Sequence, residues 1–351
     1  MTRIAVIPGD GIGIEVTREA VLALEALAAA SGKPITFESF PYGADHFLKT
    51  GETLPDDGFA RLQEFDAILL GALGDPRVPD NRHAADILLG LRFRLDLYVN
   101  HRPVRLLDER LCPLKGRTPK DVDFVIFREN TEGLYAGVGG FLKKGTADEI
   151  ALQQDINTRK GVERIIRHAF EWARAHGRKR VLMSDKSNAL TYGHDLWQRV
   201  FKLVAAEYPD IEASHMYVDA LAMQMVKDPT PYEVIVTCNM FGDILSDLGA
   251  QIQGGLGLAA SANLHPGRIG LYEPVHGSAP KHAGKNLANP IGAVLSAAML
   301  LDNVGRSEEA HRLEQAVAEC VRAGRTTRDL GGSLGTTEAG AAIRDALRTP
   351  R

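Results

Sequence analysis

The sequence predicts an α/β fold with a largely parallel sheet, and three observations carry that reading. Short apolar strands alternate with amphipathic helices along the chain, as in βαβ units. Charged residues follow several of those strands directly, as expected where ligands gather beyond the carboxyl ends of parallel strands. With 351 residues, 44% of them hydrophobic, the chain can bury a large core over two or three domain-sized units. Ile4–Ile7 opens as a strand, followed by a helix from Glu15 to Ala30 rich in Ala, Leu and Glu. Ala67–Leu70 is the next strand, ending in Gly71-Ala72-Leu73-Gly74. Phe124–Phe127 runs into Arg128-Glu129-Asn130, and the tract from Gly139 to Asp155 fits neither period and reads as an arm or hairpin. Val181–Met183 runs into Asp185-Lys186-Ser187-Asn188, His215–Val218 into Asp219, and Val234–Val236 into a segment holding Asp243 and Asp247.

Composition excludes several function classes. Charged residues are 25% of the chain and the net charge is −4, so no basic field points to nucleic acid. Cys112, Cys238 and Cys320 lie far apart, in neither disulfide nor zinc spacing, which favours a reducing cytoplasm. A strand opens the chain, so no export signal is expected, and the longest apolar run, Ile291–Leu301, is too short to span a bilayer.

From Val234 to Gly267 there are two aspartates, Asp243 and Asp247, and no lysine or arginine. Four apart on a helix, two carboxylates share a face and repel by roughly 0.2–0.5 kcal/mol. Either a hard divalent cation neutralises them, or Asp243 caps the helix and Asp247 complements its dipole. Arg92, Arg102 and Arg128 together can hold a dicarboxylate through bidentate forks; singly, each reads as a surface ion pair. Gly9-Asp10-Gly11-Ile12-Gly13 is a poor dinucleotide fingerprint, because the third glycine falls early and no acid follows at the expected distance. It serves equally as a tight turn opening a helix. Glu273 to Lys285 is poor in bulky side chains and can wrap a nucleotide through its backbone, or be a turn-rich connection. Tyr135, close after Arg128, reads as core filler unless its neighbourhood is catalytic.

Taken together these segments resemble the β-decarboxylating dehydrogenase family, whose members act on isopropylmalate, isocitrate, homoisocitrate, and tartrate or D-malate. The resemblance rests on Pro8–Gly13, Leu91-Arg92 with Asn100-His101-Arg102-Pro103, Arg128-Glu129-Asn130, Asp185–Asn188, Tyr217–Ala220, Phe241–Asp247 and His276–Pro280. It implies two α/β domains sharing a large mixed sheet rather than a Rossmann fold. One domain, residues 1–98 plus 254–351, would bind the cofactor; the middle one, 99–253, would carry the dimerisation surface and an arm at about 139–155. Arg92, Arg102 and Arg128 would clamp the substrate's carboxylates. Asp243 and Asp247, with Asp219 from a partner subunit, would hold Mg²⁺ or Mn²⁺. Lys186, also reaching across from the partner, would accept the hydroxyl proton, and Tyr135 would protonate the enol. NAD or NADP would lie along His276, Gly277, Ser278, Ala279, Pro280 and Lys281 and near Asn289. Lys281 stands where NAD-using relatives carry aspartate, which tilts the expectation toward NADP, with Arg325 and Arg328 as further positive charge. Leu88 and Leu89 offer apolar surface to the substrate's γ-group, so 3-isopropylmalate is the expected substrate of a homodimer with shared sites. Tartrate or D-malate is the runner-up, then homoisocitrate or isocitrate. A non-catalytic module binding a metal–carboxylate ligand is the alternative from another class; it has no use for Lys186 or Tyr135.

Overall fold

The computed structural model describes residues 1–348. In chain order the first elements are β1 (Thr2–Gly9), α1 (Ile12–Ser31), β2 (Ile35–Ser39), α2 (Ala44–Thr50), α3 (Asp56–Leu62), β3 (Ala67–Ala72), α4 (Arg82–Arg94), β4 (Val99–Arg105) and β5 (Asp123–Glu129). Then come β6 (Gly139–Leu142), β7 (Ile150–Gln153), α5 (Arg159–Ala175), β8 (Arg180–Asp185), α6 (Gly193–Ala205), β9 (Glu212–Tyr217), α7 (Val218–Lys227) and β10 (Val234–Thr237). The last are α8 (Asn239–Ile252), β11 (Ala260–Leu264), β12 (Gly270–Pro274), α9 (Ile291–Asn303), α10 (Ser307–Arg322) and α11 (Thr336–Arg348). Ten strands form a mixed sheet, five in each of two compact units.

The first unit comprises residues 1–97, 105–120 and 250 onward. Segment 105–120, which sequence reading places in the middle of the molecule, belongs here. Its strand order is β2-β1-β3-β12-β11. Pairings of β1 with β2 and β3, and of β3 with β12, are parallel, whereas β11 and β12 are antiparallel. The five residues between β11 and β12 are too few for a crossover, so the sheet expected to be largely parallel turns mixed here. All six residues of β3 are buried, as a strand covered on both faces requires. The run at Ile291 becomes α9, apolar nearly all round and correspondingly buried.

The second unit comprises residues 98–104 and 121–249, with strand order β4-β5-β10-β8-β9. Its central strand β10 is wholly buried, and β9, at the edge, is mostly exposed. Helix α5 buries Val162, Ile165, Ile166, Ala169, Phe170 and Ala173, a 3.6-residue stripe, and the Thr158 hydroxyl caps it by accepting from Gly161 N at 3.0 Å. The tract read as an arm is the two-stranded antiparallel hairpin β6–β7, exposed along both strands.

Candidate active site

In the second unit, α8 starts at Asn239 directly after β10, so Asp243 and Asp247 lie in later turns and Asp243 is not the helix cap. The sequence offers these carboxylates no nearby cation; the sheet supplies two, from β4 and β5. Arg128, 2% exposed at the end of β5, donates from Nε and Nη2 to Asn239 Oδ1 at 2.9 and 2.7 Å and from Nη1 to Asp243. Arg102 on β4 donates to Ser246 Oγ at 2.7 Å and stands 3.4 Å from Asp243 and 3.7 Å from Asp247. The Tyr135 hydroxyl donates to Asp243 Oδ2 at 3.0 Å, and its ring lies 5.1 Å from the Arg128 guanidinium carbon. Burial, then the Asp243 charge, raises the Tyr135 hydroxyl pKa above the ordinary phenol value. Burial likewise raises Asp247, with Arg102 opposing. Both aspartate side chains keep exposed surface while both arginines are buried beneath them. The result is a floor of fixed positive charge under two accessible carboxylates.

Lys186 and Asp219 form a separate pair in the same unit. Lys186 follows the last residue of β8, Asp219 is the second residue of α7, and Nζ lies 2.7 Å from Oδ1. The lysine hydrogen bond holds the Asp219 carboxyl below the usual carboxylate range. Sequence reasoning asks for cations or burial around a lysine base; the neighbour found here is this carboxylate. The Lys186 backbone N–H donates to His194 Nδ1 at 2.8 Å, and buried Asp185 receives His215 Nε2 at 2.8 Å and Gln198 at 2.8 Å. These bonds fix the lysine's backbone, and Asp219 holds the end of its side chain. Among the described residues no three His, Cys, Asp or Glu side chains come together as a metal-binding group, so Asp219 does not join Asp243 and Asp247 within one chain.

The first unit holds the remaining candidates. Arg92, in the last turn of α4, is buried and donates from Nη2 to Glu273 Oε1 at 3.0 Å; the same oxygen accepts from Asn263 at 2.9 Å. Its Nε is buried without a partner. Leu88 and Leu89, on the same helix, are half-exposed, and Leu88 leans on the core cluster around Ile87 and Leu91. The loop from His276 to Lys285 is pinned at several points. Ser278 O accepts from Ile12 N at 2.8 Å, Ser278 Oγ donates to Gly74 O at 2.5 Å, and Gly284 N donates to Glu15. Gly277 is open around its Cα, Ala279 has φ +37°, and Pro280-Lys281-His282 form one 3₁₀ turn with Lys281 and His282 exposed. His276 Nε2 is buried without a partner, and burial lowers the ring's pKa below the usual histidine value. Asn289 Oδ1 accepts from Ile291 N at 3.0 Å at the start of α9, and its amide donates to Asp329 at 2.9 Å. Arg325, expected as added positive charge, is exposed and donates to Ala342 O, with Cys320 Sγ at 3.8 Å. The glycines of Gly9–Gly13 answer to packing: a Cβ on Gly11 would sit 2.1 Å from Ser278 O, and one on Gly13 2.4 Å from Ala72 N.

Sequence reasoning passed over Asn239, Glu273 and Asp10. Each is buried and polar at a strand end or in the turn just beyond, and each holds another site element in place. Only Glu273 carried a local signal, a charged residue inside a buried strand; Asp10 and Asn239 lie just past strands, where polar residues are ordinary.

Residues 3–343 match the family model described as isocitrate/isopropylmalate dehydrogenase. The chain is 47% identical over 319 residues to a 3-isopropylmalate dehydrogenase of Thermobifida fusca (strain YX), covering 90% of each. It is 48% identical over 354 residues to one of Clavibacter sepedonicus, covering 99% of this chain and 98% of that one. The crystal structure of an isocitrate dehydrogenase from Methylococcus capsulatus superposes with a TM-score of 0.91 at 38% identity, covering 99% of this chain and 100% of the other.

Proposed function

This chain belongs to the isocitrate/isopropylmalate dehydrogenase family, and on that premise we propose that it oxidises and decarboxylates 3-isopropylmalate to 2-oxoisocaproate, a step of leucine biosynthesis. The observation that carries the substrate choice is the pair Leu88 and Leu89, half-exposed one turn before buried Arg92 on one helix. An alkyl γ-group can bury against such a surface; a carboxylate facing it would be desolvated without a partner.

The residues fit a divalent cation of the Mg²⁺ or Mn²⁺ type. Asp243 and Asp247 present two accessible carboxylates, and such cations are satisfied by one or two of these plus water and substrate oxygens. Asp219 would add a third ligand from the partner subunit. Bound groups supply what side chains lack: the cation Lewis acidity at the substrate's C2 hydroxyl and carboxylate, the nicotinamide a hydride acceptor.

The chain's own residues do the rest. Arg102 and Arg128, which reach Asp243 from β4 and β5, would hold the substrate carboxylate beside those aspartates. Asn239 keeps Arg128 in orientation. Arg92, whose Nε is buried and unpaired, would also bind a substrate carboxylate. Lys186 accepts the hydroxyl proton at Nζ. Asp219, 2.7 Å from Nζ, holds that amine in place and would be a ligand of the cation in the partner's site. Oxidation at C2 yields a β-keto acid whose C3 carboxylate leaves as CO₂, and Tyr135 delivers a proton to the resulting enol carbon. A raised hydroxyl pKa keeps Tyr135 in the proton-bearing form for that step.

The part built from both chain ends would bind the dinucleotide along His276–Lys281 and near Asn289; the middle part would dimerise. Hairpin β6–β7 exposes Phe141, Leu142, Ile150 and Leu152, and Tyr192, Met223 and Ile244 are exposed in the same unit. A lone two-stranded hairpin is marginal in water, so a second copy covering it supports a homodimer with shared sites. Exposed Lys281 supports NADP over NAD. Three free thiols support a cytoplasmic location, and among the described residues no helix is long and apolar enough to cross a membrane.

The test is a panel of 3-isopropylmalate, D-malate, tartrate, homoisocitrate and isocitrate with NAD and NADP, read as nicotinamide reduction with Mg²⁺ and with chelator. Burial of the isopropyl group is worth about 1.5–3 kcal/mol, or roughly one to two decades of kcat/KM over malate. Chelator, or Asp247→Asn, should abolish or sharply reduce turnover. Higher kcat/KM for isocitrate or tartrate overturns the substrate, and full activity in excess chelator overturns the cation.

A further inference from the structure

The pair Asp10–His83 lies beneath the cofactor loop and takes no part in the chemistry above. His83, on α4, is wholly buried, and Asp10 is 5% exposed. His83 Nε2–H donates to Asp10 Oδ2 at 2.8 Å, while Nδ1 is buried without a partner, so the ring's polar link is to Asp10 alone. The Asp10 carboxylate gathers two further pieces of the first unit, and its backbone a third contact. Its Oδ1 accepts from Ala44 N at 2.6 Å, the start of α2, and its Oδ2 from Gly74 N at 2.8 Å, in the loop after β3. Its own N–H donates to Ala72 O at 2.6 Å. Gly74 O in turn accepts from Ser278 Oγ, and two residues past Asp10 the N–H of Ile12 donates to Ser278 O. Phe47 of α2 stacks on the His83 ring at 6.1 Å.

A buried carboxylate is stable only with its acceptor capacity used. Of the donors here, the imidazole is the one that a point substitution can remove without touching the backbone. We propose that Asp10–His83 is a positioning device for the nicotinamide-dinucleotide loop. It fixes the loop after β3 and, through Gly74 and Ile12, holds Ser278 so that residues 276–285 are formed before the dinucleotide arrives. The proposal rests on the reading of 276–285 as the cofactor loop. Preforming a loop removes an ordering cost from binding, so its loss falls on cofactor affinity rather than on the chemical step.

The experiment uses the full chain and three variants. Binding of reduced dinucleotide, NADPH and NADH separately, is followed by fluorescence titration beside steady-state kinetics and thermal unfolding. His83→Leu removes the donor; His83→Gln offers an amide N–H in its place. Asp10→Asn keeps the shape but turns one acceptor into a donor facing Gly74 N–H. His83→Leu and Asp10→Asn should raise the dissociation constant about tenfold or more, the loss expected for one charge-assisted hydrogen bond. The KM for hydroxy acid and kcat at saturating dinucleotide should stay within about threefold of wild type, and His83→Gln should recover most of the affinity. Should His83→Leu fail to fold, Asp10→Asn and His83→Gln still carry the comparison. Unchanged affinity in Asp10→Asn, or equal losses in the Leu and Gln variants, overturns the proposal while leaving the loop reading intact. A wild-type chain that binds neither dinucleotide overturns both.

Discussion

Gly242→Ala should dislodge Arg128 while leaving every charged residue in place. Gly242 is on α8 one residue before Asp243, and a Cβ built there would lie 2.5 Å from both Cβ and Cγ of Arg128. Real Cβ atoms do not approach so closely, and the obstacle is the base of the arginine side chain rather than its flexible end, so the whole side chain must shift. What Arg128 would leave is the two-pronged bond to Asn239 Oδ1 at 2.9 and 2.7 Å and the pairing with Asp243. Breaking a buried charged pairing typically costs about 3–5 kcal/mol. Alanine returns about 1 kcal/mol of helix propensity relative to glycine. The net is a destabilisation of about 2–4 kcal/mol, and if the same displacement is felt by the bound substrate, kcat/KM falls by roughly 30-fold to several hundredfold. The assays are urea unfolding and steady-state kinetics with 3-isopropylmalate, with Gly90→Ala as control. Gly90 is also helical, and a Cβ there meets nothing within 4 Å, so alanine should be neutral or slightly stabilising. Gly242→Ala with wild-type stability and kcat/KM would refute the claim that Arg128 is held by close packing against α8.

Lys186→Met should stop oxidation of the hydroxy acid, yet still allow decarboxylation of the keto acid supplied directly. Tyr135→Phe should slow processing of that keto acid by about 10²–10⁴-fold, and a wild-type rate on it rules out Tyr135 as the proton donor. Lys281→Asp should move the preference from NADP toward NAD, by removing a cation suited to a 2′-phosphate and adding an acceptor for a 2′-hydroxyl. An unchanged preference ratio removes Lys281 from cofactor choice. Acid stability should depend on His101 and His168, which pack around Phe127. Desolvation, then repulsion from His168 and His176 on His101 and from His176 on His168, brings them down to about 3 and about 4. Both lie below the ordinary histidine value of about 6.5, so the unfolded chain takes up these protons first as pH falls. Stability present above about pH 6.5 is then lost toward pH 4, at up to about 1.4 kcal/mol per unit per histidine. His168→Gln should flatten that slope, and an identical pH dependence of urea midpoints in the variant and wild type would exclude the mechanism.

Legible in the chain itself are the alternation of strands and helices, the hairpin at 139–155, the placing of Arg128, Lys186 and Asp219 at or just beyond strand ends, and of Asp243 and Asp247 on the helix that follows β10. These follow from side-chain periodicity and from turn residues, which act over a few positions. Family membership was also legible, because motifs such as Phe241–Asp247 keep their spacing within one element. Which charges meet is set by the packing of distant strands. Asp243 and Asp247 lack a cation within their own segment, yet Arg102 and Arg128 reach them from β4 and β5, more than a hundred residues upstream. Lys186 meets Asp219 rather than a cation, and Arg325 bonds the backbone of α11. Parallel pairing brings distant strand ends side by side, and no local pattern records which side chains then face each other. The same holds for Asp10, Asn239 and Glu273. The role of each arises from a donor supplied by another strand or helix.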